Sequence, residues 1–320
     1  IQFSVPENRR EILKNEFKAA FSEVKFVCNE TILSNSNITK KDPGYTKQNQ
    51  YWFYEQIGLF KAWNTTLGDS SIKIAVIDDG FDITHPELST QIEKPWNVFD
   101  YSNKLTTWNN KLQHGTHVAG TVGGILNNNY GISGVAPNCK LILIQIADQQ
   151  GRMTTTSILD GIFYALKNGA DVINMSLGVD MNQLATSMTE EQQKRYAESS
   201  FTDEAAMWDE VYRIAEEEGV IIVQAAGNSN VLAALDPMKR SKSTIVVGAT
   251  DKSKRKADIS NYGTDVDIYA PGLGIYSSVP DGKFAFMDGT SMASPIVAGC
   301  VGLIKSVNDT ISIESIKTLL

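Results

Sequence analysis

Short, unbroken apolar runs alternate along this chain with longer stretches in which apolar residues return every three or four positions. The runs at 72–77, 140–146, 172–175, 220–224 and 245–247 have the length and continuity of strands covered on both faces, where neither side calls for polar residues. The stretches at 115–126, 155–168, 204–218 and 291–305 carry the period of helices that bury one side. Strand and helix in alternation predict a mainly parallel, twisted sheet flanked by helices, a three-layer α/β fold. Past Asn261 the pattern changes to short strands at 266–269, 275–279 and 284–287, which lead through turns into the last long helix.

Two segments stand apart from this rhythm. In residues 1–41, Ile12, Leu13, Phe17, Ala20 and Phe21 share a helical face, Val24-Lys25-Phe26-Val27 alternates like a strand, and 31–41 is polar. That composition predicts an N-terminal extension joined by a linker to a main domain at 42–320. Within the main domain, Thr189-Glu190-Glu191-Gln192 has the form of a capping box that starts a helix. A second start at Thr202-Asp203-Glu204 leads into Ala205, Trp208, Val211, Tyr212 and Ala215 on one face, so 179–213 contains a helical insertion.

Composition narrows the classes of function. At 320 residues, 42% hydrophobic and 21% charged, the chain has the makeup of a globular protein with a large core. A net charge of −8 without a basic cluster argues against nucleic acid or an anionic membrane as partner. No apolar run is long enough to span a bilayer. The start at Ile1, without Met or a signal-type segment, reads as a processed chain. Cys28, Cys139 and Cys300 are widely spaced and odd in number, so they predict free thiols rather than a disulfide framework or a zinc site.

Three strings carry the chemistry. In Asp288-Gly289-Thr290-Ser291-Met292-Ala293-Ser294-Pro295 a serine opens an apolar helix between small residues that leave room for a carbonyl. The helix terminus adds unpaired N–H groups and a positive dipole end. Ile72-Lys73-Ile74-Ala75-Val76-Ile77-Asp78-Asp79-Gly80 places Asp78 at the carboxyl end of a buried strand, where ligands collect in α/β sheets. His114-Gly115-Thr116-His117 opens a small-residue helix. Asp, His and Ser in that chain order, each at an element boundary, suggest a nucleophile, a base and the group that orients the base. The chain has three histidines, so the base is His85, His114 or His117.

The chain resembles the subtilisin-like serine proteases, or subtilases. VIDDGFDITHPEL, HGTHVAGT, INMSLG, QAAGN and GTSMASPIVAG match that family's signature segments in order, from about Asp42 to Lys305. The resemblance implies a serine endopeptidase with Ser291 as nucleophile, His114 as base, Asp78 as its orienter and Asn228 as oxyanion donor. It implies pocket walls at Ser176-Leu177-Gly178 and Ala225-Ala226-Gly227, and an edge strand at Gly151-Arg152-Met153 to which an extended substrate adds. Val179 departs from the pattern, since the family commonly has Gly there. The chain is also longer after Gly178 than compact subtilases.

The segment Leu126-Asn127-Asn128-Asn129-Tyr130-Gly131-Ile132 resembles the family's calcium loop. Asn128 would ligate by its side chain, Leu126, Tyr130 and Ile132 by their carbonyls, with Glu87 and Asp42 adding carboxylates. No cofactor is implied for the chemistry itself. By the same resemblance, residues 1–41 read either as the closing half of a prosegment or as an extension packed on the core. Expected partners are polypeptide substrates and such a prosegment, for a monomer that is secreted or held in the cell envelope. Two rival classes fit less well. His114-x-x-His117 lacks the glutamate of a zinc hydrolase, and Ser291 lacks the GxSxG setting of a lipase or esterase.

Overall fold

Seven parallel strands in the order β2-β3-β1-β4-β5-β6-β7 form the centre of the molecule. They are β1 (Lys73–Asp78), β2 (Ile92–Asn97), β3 (Lys140–Gln145), β4 (Val172–Met175), β5 (Ile221–Ala225), β6 (Thr244–Thr250) and β7 (Ile268–Pro271). The computed structural model describes residues 42–46, 48–105, 114–185 and 187–320. The helix and strand expected within 1–41 lie outside the described residues, as does Cys28.

The helices are α1 (Gln48–Gln56), α2 (Leu59–Ala62), α3 (His114–Gly123), α4 (Thr155–Lys167), α5 (Asn182–Ala185), α6 (Glu190–Ser199), α7 (Thr202–Glu217), α8 (Thr290–Lys305) and α9 (Ile313–Leu319). An antiparallel hairpin, β8 (Ile275–Val279) with β9 (Lys283–Met287), precedes α8.

Alternation along each strand divides the core in two. Ile74 and Val76 of β1, with Leu141 and Leu143 of β3, pack with Val118 and Val122 of α3 and Ile296 and Val301 of α8. Their neighbours Ala75, Ile77, Ile142 and Ile144 pack with Ile162 and Ala165 of α4 and with Trp208 and Tyr212 of α7. Each such aliphatic side chain, taken fully out of water, contributes about 1.5–3 kcal/mol. Both faces of the sheet are therefore covered, and the three-layer α/β fold expected from the apolar runs is present.

The chain builds one side of the sheet through β1, β2 and β3, then crosses to β4 on the other side of β1. The point of reversal lies between β1 and β4, and the carboxyl ends of these strands flank the crevice where α/β sheets place their ligands. Asp78 ends β1, and Ser176 directly follows β4.

Sequence periodicity passed over β2 and the segment before residue 71. Strand β2 is an edge strand carrying Glu93, Lys94 and Pro95, with a register shift between Ile92 and Lys94. Proline is tolerated there because an edge strand needs fewer ladder hydrogen bonds. Helices α1 and α2 contribute Trp52, Phe53, Tyr54 and Phe60 to an aromatic cluster with Tyr45 and Trp63. Trp63 Nε1 donates to the Val135 carbonyl at 2.8 Å and fastens this cluster to the loop between α3 and β3.

Candidate active site

Asp78 is buried at the end of β1, and His114 is the first residue of α3. His114 Nδ1 donates to Asp78 Oδ1 at 2.7 Å. Their approach depends on Gly115, because a Cβ there would lie 2.4 Å from the Gly80 carbonyl and 3.0 Å from Asp78 Cβ. Asp79, next to Asp78, accepts the Gly115 N–H at 2.9 Å and so supports the first turn of α3. Burial works to lower the His114 pKa, but the charge and hydrogen bond of Asp78, with Asp79 behind them, carry it up to about 9. Burial first, then repulsion from Asp78, raises Asp79 to about 7, against the pull of His114 and the Gly115 N–H.

Ser291 occupies the second position of α8, after Gly289 at φ 145°, a backbone conformation that favours glycine. Its hydroxyl donates to the Ser176 carbonyl at 3.2 Å, and the Ser176 hydroxyl donates to the Ser291 carbonyl at 2.9 Å. Pro295 explains why that carbonyl is available. Four residues on, it has no N–H with which to close the helical bond. In this conformation the hydroxyl of Ser291 points to Ser176 rather than to His114.

Asn228 follows β5 through Ala226 and Gly227. Its Oδ1 accepts both the Thr290 N–H at 2.8 Å and the Thr290 hydroxyl at 3.0 Å. With the oxygen held, the Nδ2 amide faces the other way, and it lies 3.3 Å from where a Gly289 Cβ would stand. Thr290 Oγ1 also accepts the Gly227 N–H at 3.1 Å, so one buried threonine joins the β5 loop to the start of α8. The sequence reading missed this role of Thr290, and nothing in a lone threonine at a helix start signals it.

The two segments expected as pocket walls each bond to the start of α8, through Ser176 and Gly227. Ser176 and Leu177 continue β4, with Gly178 exposed after them, while Ala225 and Ala226 are buried at the end of β5. Gly151-Arg152-Met153 is an exposed turn and not the expected edge strand. Asp148 takes the backbone N–H of Arg152 at 2.9 Å and its guanidinium at 2.7 Å, and Gly151 turns at φ 77°. A side-chain carboxylate here claims the N–H that a strand ladder would use.

The other two histidines are committed elsewhere. His117 Nε2 donates to the carbonyls of Ile275 at 3.0 Å and Ala285 at 3.3 Å, and burial pulls its pKa down to about 4. It is a neutral core residue that ties α3 to the hairpin. His85 Nε2 donates to Lys283 O at 3.1 Å, while its Nδ1 accepts the Glu87 N–H, also at 3.1 Å.

Both helices expected after Gly178 are present, as α6 and α7. The Thr189 hydroxyl accepts the Gln192 N–H and the Gln192 side chain accepts the Thr189 N–H, which closes the capping box. Trp208, Val211, Tyr212 and Ala215 form the buried face of α7. Helix α6 packs Ala197 with Met181, Val231 and Leu235. Glu190 pairs with Lys194 at 3.0 Å on the exposed side, so its charge is balanced locally.

The loop at 126–132 is held by Asp42 and Glu87. Asp42 and Glu87 are both fully buried. Asp42 accepts the N–H groups of Asn127 at 2.7 Å and Asn129 at 3.0 Å, and Glu87 accepts that of Ile132 at 3.1 Å. Asn128 Nδ2 donates to Glu87 at 3.1 Å, and its Oδ1 accepts the Tyr130 N–H at 2.8 Å, leaving one lone pair. Among the described residues no cation pairs with either carboxylate, and the carbonyls of Leu126, Tyr130 and Ile132 accept no hydrogen bond. Buried carboxylates with unclaimed carbonyls are a donor set that suits a hard cation.

The class follows from these observations: a three-layer α/β protein with a serine, a histidine–aspartate pair and a free amide gathered at the switch point of its sheet. Residues 69–320 match the subtilase family, and the chain belongs to that family. It is 39% identical over 262 residues to a thermophilic serine proteinase of Bacillus sp. strain AK1, covering 82% of this chain and 57% of that protein. It is 35% identical to thermitase of Thermoactinomyces vulgaris, covering 82% of this chain and 86% of thermitase. Among solved structures, proteases from Pseudoalteromonas arctica PAMC 21717 superpose with a TM-score of 0.70 at 28% identity, covering 88% of this chain and 91% of theirs. A cold-adapted subtilisin-like serine proteinase gives 0.63 at 29% identity, covering 79% and 82%.

Proposed function

We propose that this chain is a serine endopeptidase that hydrolyses peptide bonds through an acyl-enzyme. The observation that carries the reading is the 2.7 Å bond from His114 Nδ1 to Asp78, set beside a serine at a helix N-terminus. In the neutral imidazole, Asp78 keeps the proton on Nδ1 and leaves Nε2 free to accept. The Ser291 hydroxyl turns from the Ser176 carbonyl to His114, gives up its proton and attacks the substrate carbonyl. His114, now an imidazolium stabilised by Asp78, then protonates the leaving amine. Water repeats the cycle on the acyl-enzyme.

Two donors face the developing oxyanion. One is Asn228 Nδ2, oriented by the two bonds that Thr290 makes to the other end of the amide. The second is the N–H of Ser291, which has no partner among the described residues. Such preset donors stabilise the transition state without reorganising at the moment of reaction. An extended polypeptide would lie along the exposed 151–153 segment, with the side chain before the cut between Ser176–Gly178 and Ala225–Gly227. Leu177 and Ala225 make that slot apolar, which favours large hydrophobic residues.

The chemistry needs no cofactor. Calcium, when bound, would supply structural stability, with Asp42, Glu87, the Asn128 side chain and the carbonyls of Leu126, Tyr130 and Ile132 holding it. Residues 42–320 act as the peptidase domain, and 1–41 as an extension or prosegment remnant. Among the described residues no helix is long and apolar enough to cross a membrane. We place the monomeric enzyme outside the cell or in its envelope, as the family resemblance implies. Labelling with a fluorophosphonate tests the core of this reading, with modification expected at Ser291 and lost in Ser291→Ala.

A further inference from the structure

Lys239 is the least expected residue near the cleft. Its side chain is wholly buried, at 0% exposure, in a short turn after Asp236. The amine donates to the Leu177 carbonyl at 2.9 Å and to Gln224 Oε1 at 2.9 Å. Leu177 belongs to one wall segment, and Gln224 is the residue before Ala225 in the other. Asp236 completes the arrangement. Its Oδ2 stands 3.8 Å from the amine and accepts the Val179 N–H at 3.1 Å, while Oδ1 accepts the Met238 N–H at 2.9 Å. Gln224 Nε2 in turn donates to the Met238 carbonyl and to Thr244 Oγ1, both at 2.9 Å.

We propose that Lys239 and Asp236 form a buried brace that fixes the spacing of the two substrate walls and so sets which side chains are accepted before the cut. A buried charge is retained against its desolvation cost only where its bonds are well made. Burial lowers the Lys239 pKa, and the Asp236 charge resists that lowering. Two of the bonds run to segments that touch the reaction centre, because Ser176 is bonded to Ser291 and Gly227 to Thr290. The cover over the brace comes from α7. Trp208 and Tyr212 of α7 pack with Met238, which keeps water from the pair. Lys239 and Asp236 are thus positioning residues that act through Leu177, Val179 and Gln224.

This inference rests on the peptidase reading, and one experiment separates the two. Lys239→Met removes the amine at similar volume, and Lys239→Met with Asp236→Asn leaves no charge unpaired, a kind of exchange that folds usually tolerate. Matched peptide substrates with Phe or Ala before the cut are compared after counting active sites with a fluorophosphonate. Both variants should still label at Ser291. Their Phe-over-Ala preference in kcat/KM should fall about tenfold, the reach of one buried hydrogen bond to a charged group, mainly through KM. A labelled double variant with unchanged preference, even at a lower melting temperature, overturns the brace. So does loss of folding in both variants, which would make the pair a core element. A wild-type protein that neither labels nor cleaves would remove the peptidase reading, and the brace as a specificity device with it.

Discussion

Ser176 and Ser291 are joined twice, each hydroxyl donating to the other's carbonyl, at 2.9 Å from Ser176 and 3.2 Å from Ser291. The pairing fastens the residue after β4 to the first turn of α8, and it turns the Ser291 hydroxyl toward Ser176 rather than His114. In the proposed mechanism only one of the two bonds breaks. The Ser176 hydroxyl can keep its hold on the helix while Ser291 turns to the base.

Ser291→Ala should abolish peptide hydrolysis, with kcat falling by roughly 10⁶, the scale of loss when a member of such a triad is removed. His114→Ala should cost about as much, and the double variant scarcely more, because the groups act as a unit. Initial rates on a fluorogenic peptide check this. Independent, additive losses would argue against a shared mechanism.

Asn228→Ala should lower kcat by about 10²–10³ with little change in KM, as befits a donor that meets its charge mainly in the transition state. Thr290→Val should give a milder loss of the same kind, since it removes one of the bonds that aim the Asn228 amide. A rise in KM at constant kcat would instead make Asn228 a ground-state contact.

The pH dependence of kcat/KM should have an acid limb set by His114, because only the neutral imidazole accepts the serine proton. Asp78 and Asp79 favour the charged form and raise that pKa, so activity should climb through neutral and into alkaline pH. Asp79→Asn removes one negative charge yet leaves an oxygen for the Gly115 N–H. The limb should therefore move to lower pH with the plateau nearly kept. An unmoved limb would show that Asp79 is not felt at the base.

Removing calcium with a chelator should lower the melting temperature and hasten autolysis, without changing initial rates on a short peptide. Stabilisation should grow with free calcium as RT ln(1 + [L]/Kd), about 2.7 kcal/mol at a hundredfold excess over Kd. Asp42→Asn should weaken this dependence. Melting that ignores calcium in verified metal-free protein would reject the assignment of the loop.

Much of the fold was legible because buried parallel strands leave an unmistakable record. The stretch 172–175 was bounded by sequence alone as β4 stands, and 275–279 as β8 stands. Helix α3 ends at Gly123 rather than at 126, where two glycines in succession let the chain turn out. Strand β2 left no such record, since an edge strand with Pro95 is stabilised by its pairing with β3 and not by its own hydrophobicity. The turn at 151–153 was missed for a similar reason, because its form is decided by the side chain of Asp148.

By itself the sequence determined the three-layer sheet, the positions of Asp78, His114 and Ser291 at element ends, and the family. Local periodicity and short motifs are read within a few residues of chain, so they survive without coordinates. Tertiary structure alone decided that Thr290 aims Asn228, that Asp79 supports the helix bearing His114, and that Lys239 joins Leu177 to Gln224. Each of these joins groups separated by 15 to 62 residues of sequence. A lysine or threonine acquires such a role only when folding removes the water that would otherwise satisfy it.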